Sequence, residues 1–210
     1  RKKDHKTIKD FIRTNYRAKK LEISETPDEN GKYIVTALKG ECTYVGSDTT
    51  LEHELFTWGD LGSTASFVIS KDAKNLKSLV GGPTSVGWNY TIEGGKLESL
   101  EGVSKFIGRK LTIKGVTVDS LTGAEDSEIK DIEITESPIE SLEGLPSKVG
   151  SLKLYDCKDI KNLKGCPQNI SGDLVLRGLD SLVSLKGAPS RVGGDFVLRE
   201  CQNIEAEDVV

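Results

Sequence analysis

The 210-residue chain has room for one domain with a substantial core, or for one domain with an appendage. It holds no Met and only 6% aromatic residues against 22 Gly, so Leu, Ile and Val must supply the packing, as in arrays of stacked layers. Charge is uneven: residues 1–20 carry nine Lys/Arg against Asp4 and Asp10, a net of +7, and the remainder carries −11. No apolar run approaches the roughly 18 residues of a membrane span or resembles a signal-peptide core, so no membrane partner is expected. Arg1 at the start reads as the product of methionine removal or trimming.

Residues 1–20 read as a basic amphipathic helix. Ile8, Phe11, Ile12 and Tyr16 share one face, with Lys and Arg around the rest, and Asp4 or Thr7 can cap its start. Two uses fit this arm. Its apolar stripe can cover the exposed first layer of a stacked array, or Lys2, Lys3, Lys6, Lys9, Arg13 and Arg17 can contact an anion, a nucleic acid or an anionic membrane.

Residues 21–75 read as an N-terminal cap with degenerate coils. Strand signals fall at Leu21–Ser24, Lys32–Leu38 and Cys42–Val45, with Pro27–Gly31 as a turn. Leu51, Leu55, Leu61, Phe67 and Ile69 are the inward residues of the coil that follows, and Trp58 seals that end.

From Leu76 the period is clean. A leucine recurs at 79, 100, 121, 142, 163 and 185, so residues 76–210 form six repeats of 21 or 22 residues with an incomplete last coil. In Val149–Leu163 the alternation Leu152-x-Leu154 marks a strand, and the later three-residue spacing marks a turn folding back beneath it. The glycine two residues after each of these leucines suits a corner at positive φ, and Pro83, Pro146, Pro167 and Pro189 stiffen the segment after it. Repeat three departs, with Gly123–Glu128 in place of the proline segment and one extra residue before Ile129.

This wording resembles the leucine-rich repeat family over residues 76–204, and more loosely from about residue 32. The version in Leu182–Phe196, L-x-S-L-x-G-A-P-x-x-V-G-G-x-F, is similar to repeat arrays of tailed bacteriophages. The resemblance implies an α/β, β-rich, right-handed solenoid of about eight coils with one parallel sheet face and an N-terminal helix. It also implies a phage-encoded protein made in a bacterial cytoplasm, and it carries no activity with it.

Stacked coils align their strands about 4.8 Å apart, and the residues between the inward ones form three outer columns. In the middle of the array Lys110 lies beside Asp131, Glu133 beside Lys153 and Glu93 beside Lys114, which reads as a surface whose charges satisfy one another. The last two strands instead stack Asp173 with Asp195, Val175 with Val197 and Arg177 with Arg199, with Tyr155 at the border. An apolar centre, a tyrosine and two unpaired arginines match the make-up of interface hot spots, and the patch is read as partner-binding. The other reading is a duplicated repeat whose surface copied itself.

Catalytic signals are missing. Of the two histidines, His5 lies in the arm and His53 in a Leu-Glu-His-Glu-Leu context that reads as surface; neither has nucleophile or metal spacing. The Gly81–Gly87 stretch lacks the Lys-Ser/Thr of a phosphate loop, and the acidic run from Glu125 to Glu136 lacks the turn glycine of a calcium loop. No catalytic residue, metal or cofactor is assigned. Cys42, Cys157, Cys166 and Cys201 read as free thiols, Cys157 and Cys201 at one repeat position, which points to a reducing compartment.

The sequence thus predicts a non-enzymatic protein-interaction module, in concrete form a cytoplasmic accessory or anti-defence protein that binds and occludes a host protein. The alternatives are a virion structural or adhesive component and a nucleic-acid-associated protein using the basic arm. Leu198–Ile204 starts a coil that Glu205–Val210 does not complete, so either the chain continues or another chain, for example a second copy, covers that edge.

Overall fold

The computed structural model describes residues 2–18 and 20–205. They form a β-solenoid of eight coils closed at one end by helix α1, Lys2–Tyr16. Each coil contributes one strand to a long parallel sheet: β1 Lys39–Tyr44, β2 Thr64–Ile69, β3 Asn89–Ile92, β4 Phe106–Lys114, β5 Glu128–Thr135, β6 Ser151–Tyr155, β7 Leu174–Arg177 and β8 Phe196–Arg199. Neighbours in sequence are neighbours in the sheet, so the order along it is β1 to β8 without a crossover.

Register follows the repeat. Ile134, Leu154, Leu176 and Leu198 lie side by side, as do Glu133, Lys153, Val175 and Val197. Odd and even strand positions face opposite sides of the sheet, so the repeat spacing alone decides which residues enter the core. Inward columns such as Ile92, Ile113, Ile134, Leu154 and Leu176 are fully buried. Each such side chain contributes about 1.5–3 kcal/mol by leaving water.

The backs of the coils hold turns and two-residue strands such as Asn169–Ile170, and α1 is the one helix among the described residues. The helical part of the expected α/β architecture is therefore the cap alone. A 21- or 22-residue coil that must make a strand and two corners leaves too few residues for a helical back.

The corners show why glycine recurs. Gly81, Gly102, Gly123, Gly144, Gly165 and Gly187 all have positive φ. A Cβ on any of them would run into backbone of an earlier coil, as at Gly102 against Val80 or Gly165 against Glu143. Backbone conformation and close coil stacking both demand a residue without a side chain.

Repeat three absorbs its extra residue in the strand. Ile107 pairs with Ile129, yet Lys110 pairs with Asp131, so the register shifts between those pairs at a bulge. The residue gained before Ile129 is given back after it, and Leu111 and Ile132 align again.

The cap is built as anticipated on its apolar side. Ile8, Ile12 and Tyr16 are buried, and the Tyr16 ring meets those of Tyr44 and Trp58 at 5.0 Å and Phe67 at 6.0 Å. The carbonyl of Asn15 accepts the N–H of Val45 at 2.7 Å, tying the helix end to the chain just beyond β1. The helix start differs from expectation. It begins at Lys2, so Asp4 falls in its first turn and Thr7 is interior, its hydroxyl donating to the Lys3 carbonyl. Both candidate caps therefore lie inside the helix, where Asp4 faces the favourable end of the helix dipole. No helix among the described residues is long and apolar enough to cross a membrane.

Candidate functional site

The outer face of the sheet carries the predicted partner-binding residues, and the strand registers set them in the expected columns. The charge pattern within those columns differs from the simple side-by-side reading.

The first column is a ladder of side-chain acceptors. Asp131 Oδ1 accepts the N–H of Ser151 at 2.9 Å, Ser151 Oγ that of Asp173 at 3.0 Å, and Asp173 Oδ1 that of Asp195 at 2.8 Å. Asp173 and Asp195 are therefore not two carboxylates set in opposition. Asp173 is bonded to backbone in the next coil, a charge-assisted contact that holds the strand starts together. Asp195 stands at the last rung, and its carboxylate has no hydrogen-bond or ion-pair partner among the described residues.

In the middle of the array the ion pair is diagonal. Lys110 Nζ lies 3.9 Å from Glu133, because the neighbouring Asp131 is already turned onto Ser151. Glu125 accepts the N–H of Gly123, so the acidic run of repeat three is divided among separate tasks. Among the described residues no three His, Cys, Asp or Glu side chains group to hold a metal ion.

At the C-terminal end Tyr155, Arg177 and Arg199 are adjacent in register, as are Lys153, Val175 and Val197. Arg177, expected to be unpaired, is stacked on the Tyr155 ring with its guanidinium carbon 4.3 Å from the centroid. Cation–π contact requires no opposite charge, so a search for carboxylate partners overlooks it. The guanidinium of Arg199 has no such partner among the described residues. Val175 and Val197 are half-buried between these groups and the ladder. The result is a patch with an ordered aromatic–arginine pair, an apolar centre and the unpaired Arg199 guanidinium at its edge.

A second surface was not anticipated. Trp88 is 46% exposed and Phe106 41%, both beside the bulge region. Arg109 covers Trp88 at 5.0 Å and donates from Nη1 to Asn89 Oδ1 at 3.1 Å. Next to them an open trough of about 500 Å³ is lined by Phe106, Gly108, Lys130, Lys148, Gly150 and Asn169. The inward–outward alternation gives no signal for it, since these residues lie where the strand starts bend away from the regular columns.

The basic arm is arranged along one stripe of α1. Lys2, Lys6, Lys9 and Arg13 recur at helix spacing and are exposed, with Lys3 exposed to one side. Asp10 interrupts the stripe, 3.7 Å from both Lys6 and Arg13, and Arg17 reaches Asp72 at 4.0 Å. The histidines serve the cap. His5 Nε2 lies 3.0 Å from the Ser24 carbonyl, and His53 sits half-buried between Phe11 at 4.4 Å and Phe56 at 4.7 Å. His53 is thus not the surface residue its Glu neighbours suggest. Burial lowers its pKa, and its Nδ1 accepts the N–H of Leu55.

All four cysteines are free thiols. Burial pushes Cys42 and Cys166 up to about 12 and Cys157 to about 11, and Cys201 is raised by the same cause. Such thiols pack; they are poor nucleophiles. The chain matches no protein-family model, no curated protein and no solved structure.

Proposed function

We propose that the protein is a non-enzymatic protein-binding module of the right-handed leucine-rich-repeat type, docking a partner on the C-terminal part of its sheet face. The observation that carries this reading is the Tyr155–Arg177 stack flanked by Val175, Val197 and the free Arg199. A rigid aromatic, an arginine held in place and a small apolar centre lose little freedom when a partner covers them. Asp173 takes part through its backbone-bonded carboxylate, and Asp195 borders the same patch.

The wording of the repeats supports a phage-encoded accessory or anti-defence protein that occludes a host protein in the bacterial cytoplasm, and the buried thiols agree with a reducing compartment. Arg177→Glu combined with Arg199→Glu tests the docking face. The double variant is expected to lose partner capture from bacterial lysate while its thermal unfolding stays close to that of the parent chain. Retained capture would sink the patch. A virion structural or adhesive role predicts instead that the chain is found by mass spectrometry in purified particles.

A second reading is favoured by one feature, the stripe of Lys2, Lys6, Lys9 and Arg13 on a helix whose opposite face is buried. A nucleic-acid contact through it would weaken steeply between about 50 and 200 mM salt. Binding that is flat across that range eliminates it.

A further inference from the structure

The two ends of the sheet are finished differently. At β1 the helix α1 lies over the first coil, with Tyr16 buried. At β8 nothing among the described residues pairs with the far edge. Phe196 and Leu198 occupy the inward positions that Leu174 and Leu176 fill at 0% exposure, yet they are 44% and 39% exposed. A parallel strand with an open polar edge and an uncovered apolar side attracts another chain.

We propose that a second copy of this chain covers that edge, β8 pairing antiparallel with its counterpart about a two-fold axis through Val197. Hydrogen-bond direction is the first support. The carbonyls of Asp195 and Arg199 accept the N–H groups of Leu174 and Gly178, so the odd positions of β8 bond toward β7. In a parallel ladder N–H and C=O of one residue point to the same side, which leaves those of Phe196 and Leu198 directed at the open edge. A two-fold through Val197 sets Phe196 opposite Leu198 of the other copy, and Leu198 opposite its Phe196. Both pairs then exchange N–H···O bonds, with Val197 facing its own counterpart as a non-hydrogen-bonded pair.

Side-chain chemistry selects the same register. On the core side Phe196 meets Leu198 of the other copy, joining two uncovered cores. On the outer face Asp195 falls opposite Arg199, and Arg199 opposite Asp195, two charges whose side chains lack a partner among the described residues. Shifting the register by one residue pair in either direction sets Asp195 opposite Val197 or opposite Cys201, and the charge match is lost. The sequence Asp195-Phe-Val-Leu-Arg199 is self-complementary in this alignment alone, the isologous arrangement that a two-fold dimer requires. Head-to-tail stacking is blocked because α1 occupies the other end of the solenoid. The two readings share Asp195, Val197 and Arg199, but Tyr155, Val175 and Arg177 on β6 and β7 stay exposed in the dimer, so Arg177→Glu alone tests docking without touching the two-fold contact.

Light scattering on the whole chain, from low to high micromolar concentration, tests it. The parent chain is expected to approach twice its 22.8 kDa mass. Asp195→Arg alone and Arg199→Asp alone each place like charges at both junctions and should raise the dissociation constant about tenfold or more. Mixed in equal amounts, the two variants oppose acid to base again, and dimer should return as a mixed pair. Val197→Cys in a Cys201→Ser background provides a second measurement. The two Val197 Cα atoms would lie about 4.5 Å apart, within disulfide range, so mild oxidation should yield a covalent dimer. Val175→Cys in the same background, one strand inboard, should not. A parent chain that stays monomeric at every concentration, whether residues 206–210 or another protein lie over the edge, overturns the proposal. So does a dimer indifferent to both charge reversals, or an absent cross-link at position 197.

Discussion

The guanidinium of Arg177 lies on the ring of Tyr155, one strand away on the outer face, with 4.3 Å between its central carbon and the ring centroid. Arg177 and Tyr155 are register partners in β7 and β6, so the sheet itself sets their separation. A double-mutant cycle of Tyr155→Ala and Arg177→Ala, followed by urea unfolding, should give a coupling of about 0.5–1 kcal/mol, the range of an exposed cation–π contact. A coupling indistinguishable from zero would mean that the stack contributes no order to the patch.

The corner glycines combine two demands that substitution can separate. Gly31 has φ +78° with open space around its missing Cβ, and Gly165 has φ +84° with the backbone of Glu143 against it. Gly31→Ala should therefore cost about 1–2 kcal/mol, the left-handed backbone penalty alone. Gly165→Ala should cost clearly more, because the coil spacing must open as well. Equal losses in chemical denaturation would show that coil stacking does not constrain the corner.

His53 links the cap to pH. Burial among Phe11 and Phe56 lowers its pKa, Lys32 adds to that, and Glu54 and Asp48 oppose it. The unfolded chain then binds the proton more readily than the folded one, so stability is fully present above about pH 6.5 and falls as pH drops below it. Protonation also removes the Nδ1 acceptor for the Leu55 N–H. Thermal unfolding from pH 7.5 to 5 should show this loss, and His53→Gln should flatten the curve. An unchanged slope in the variant would move the titration elsewhere.

Tyr90 is fully buried, and its hydroxyl has no hydrogen-bond partner among the described residues. A buried unsatisfied hydroxyl is costly to desolvate, so Tyr90→Phe should raise stability by about 1 kcal/mol. A loss on substitution would imply a bonded hydroxyl.

The thiols should separate by access. Cys201 is half-exposed, whereas Cys42, Cys157 and Cys166 are buried with raised pKa values. In the folded protein at pH 8 an aromatic disulfide reagent should titrate Cys201 first, and the other three only on unfolding. Four thiols reacting together in the native state would contradict this packing.

The leucine spacing made the architecture legible, because a period-2 strand repeated every 21 or 22 residues assigns inward and outward positions without ambiguity. Phe67, Ile69 and the columns that continue them as far as Leu174 and Leu176 are buried as that spacing requires. The identity of the outer columns was equally readable. What those side chains do was not. Whether Asp131 faces Lys110 or the backbone of Ser151 depends on how the strand start bends at the Ile129–Asp131 register shift, which spacing does not encode. The Tyr155–Arg177 stack was missed because two residues that attract through a ring face carry no complementary charge. Trp88 and Phe106 escaped because they stand where the alternation is interrupted. His53 was misread because its sequence neighbours are acidic and exposed, while its spatial neighbours are Phe11, 42 positions upstream, and Phe56.

The acceptor ladder of the first column has a direction. At each of its three successive rungs, Asp131, Ser151 and Asp173, a side chain of one coil receives the N–H of the next, and Asp195 repeats the acceptor chemistry at the last described coil. The array therefore resembles a filament with a sealed end and a receptive end. Tandem duplication of a coil at the receptive end inherits both a template edge and an acceptor of the same kind, whereas an insertion beneath α1 would have to rebuild the aromatic seat of Tyr16. Lengthening in whole coils toward the C-terminal side is the change this molecule accommodates with the least disturbance.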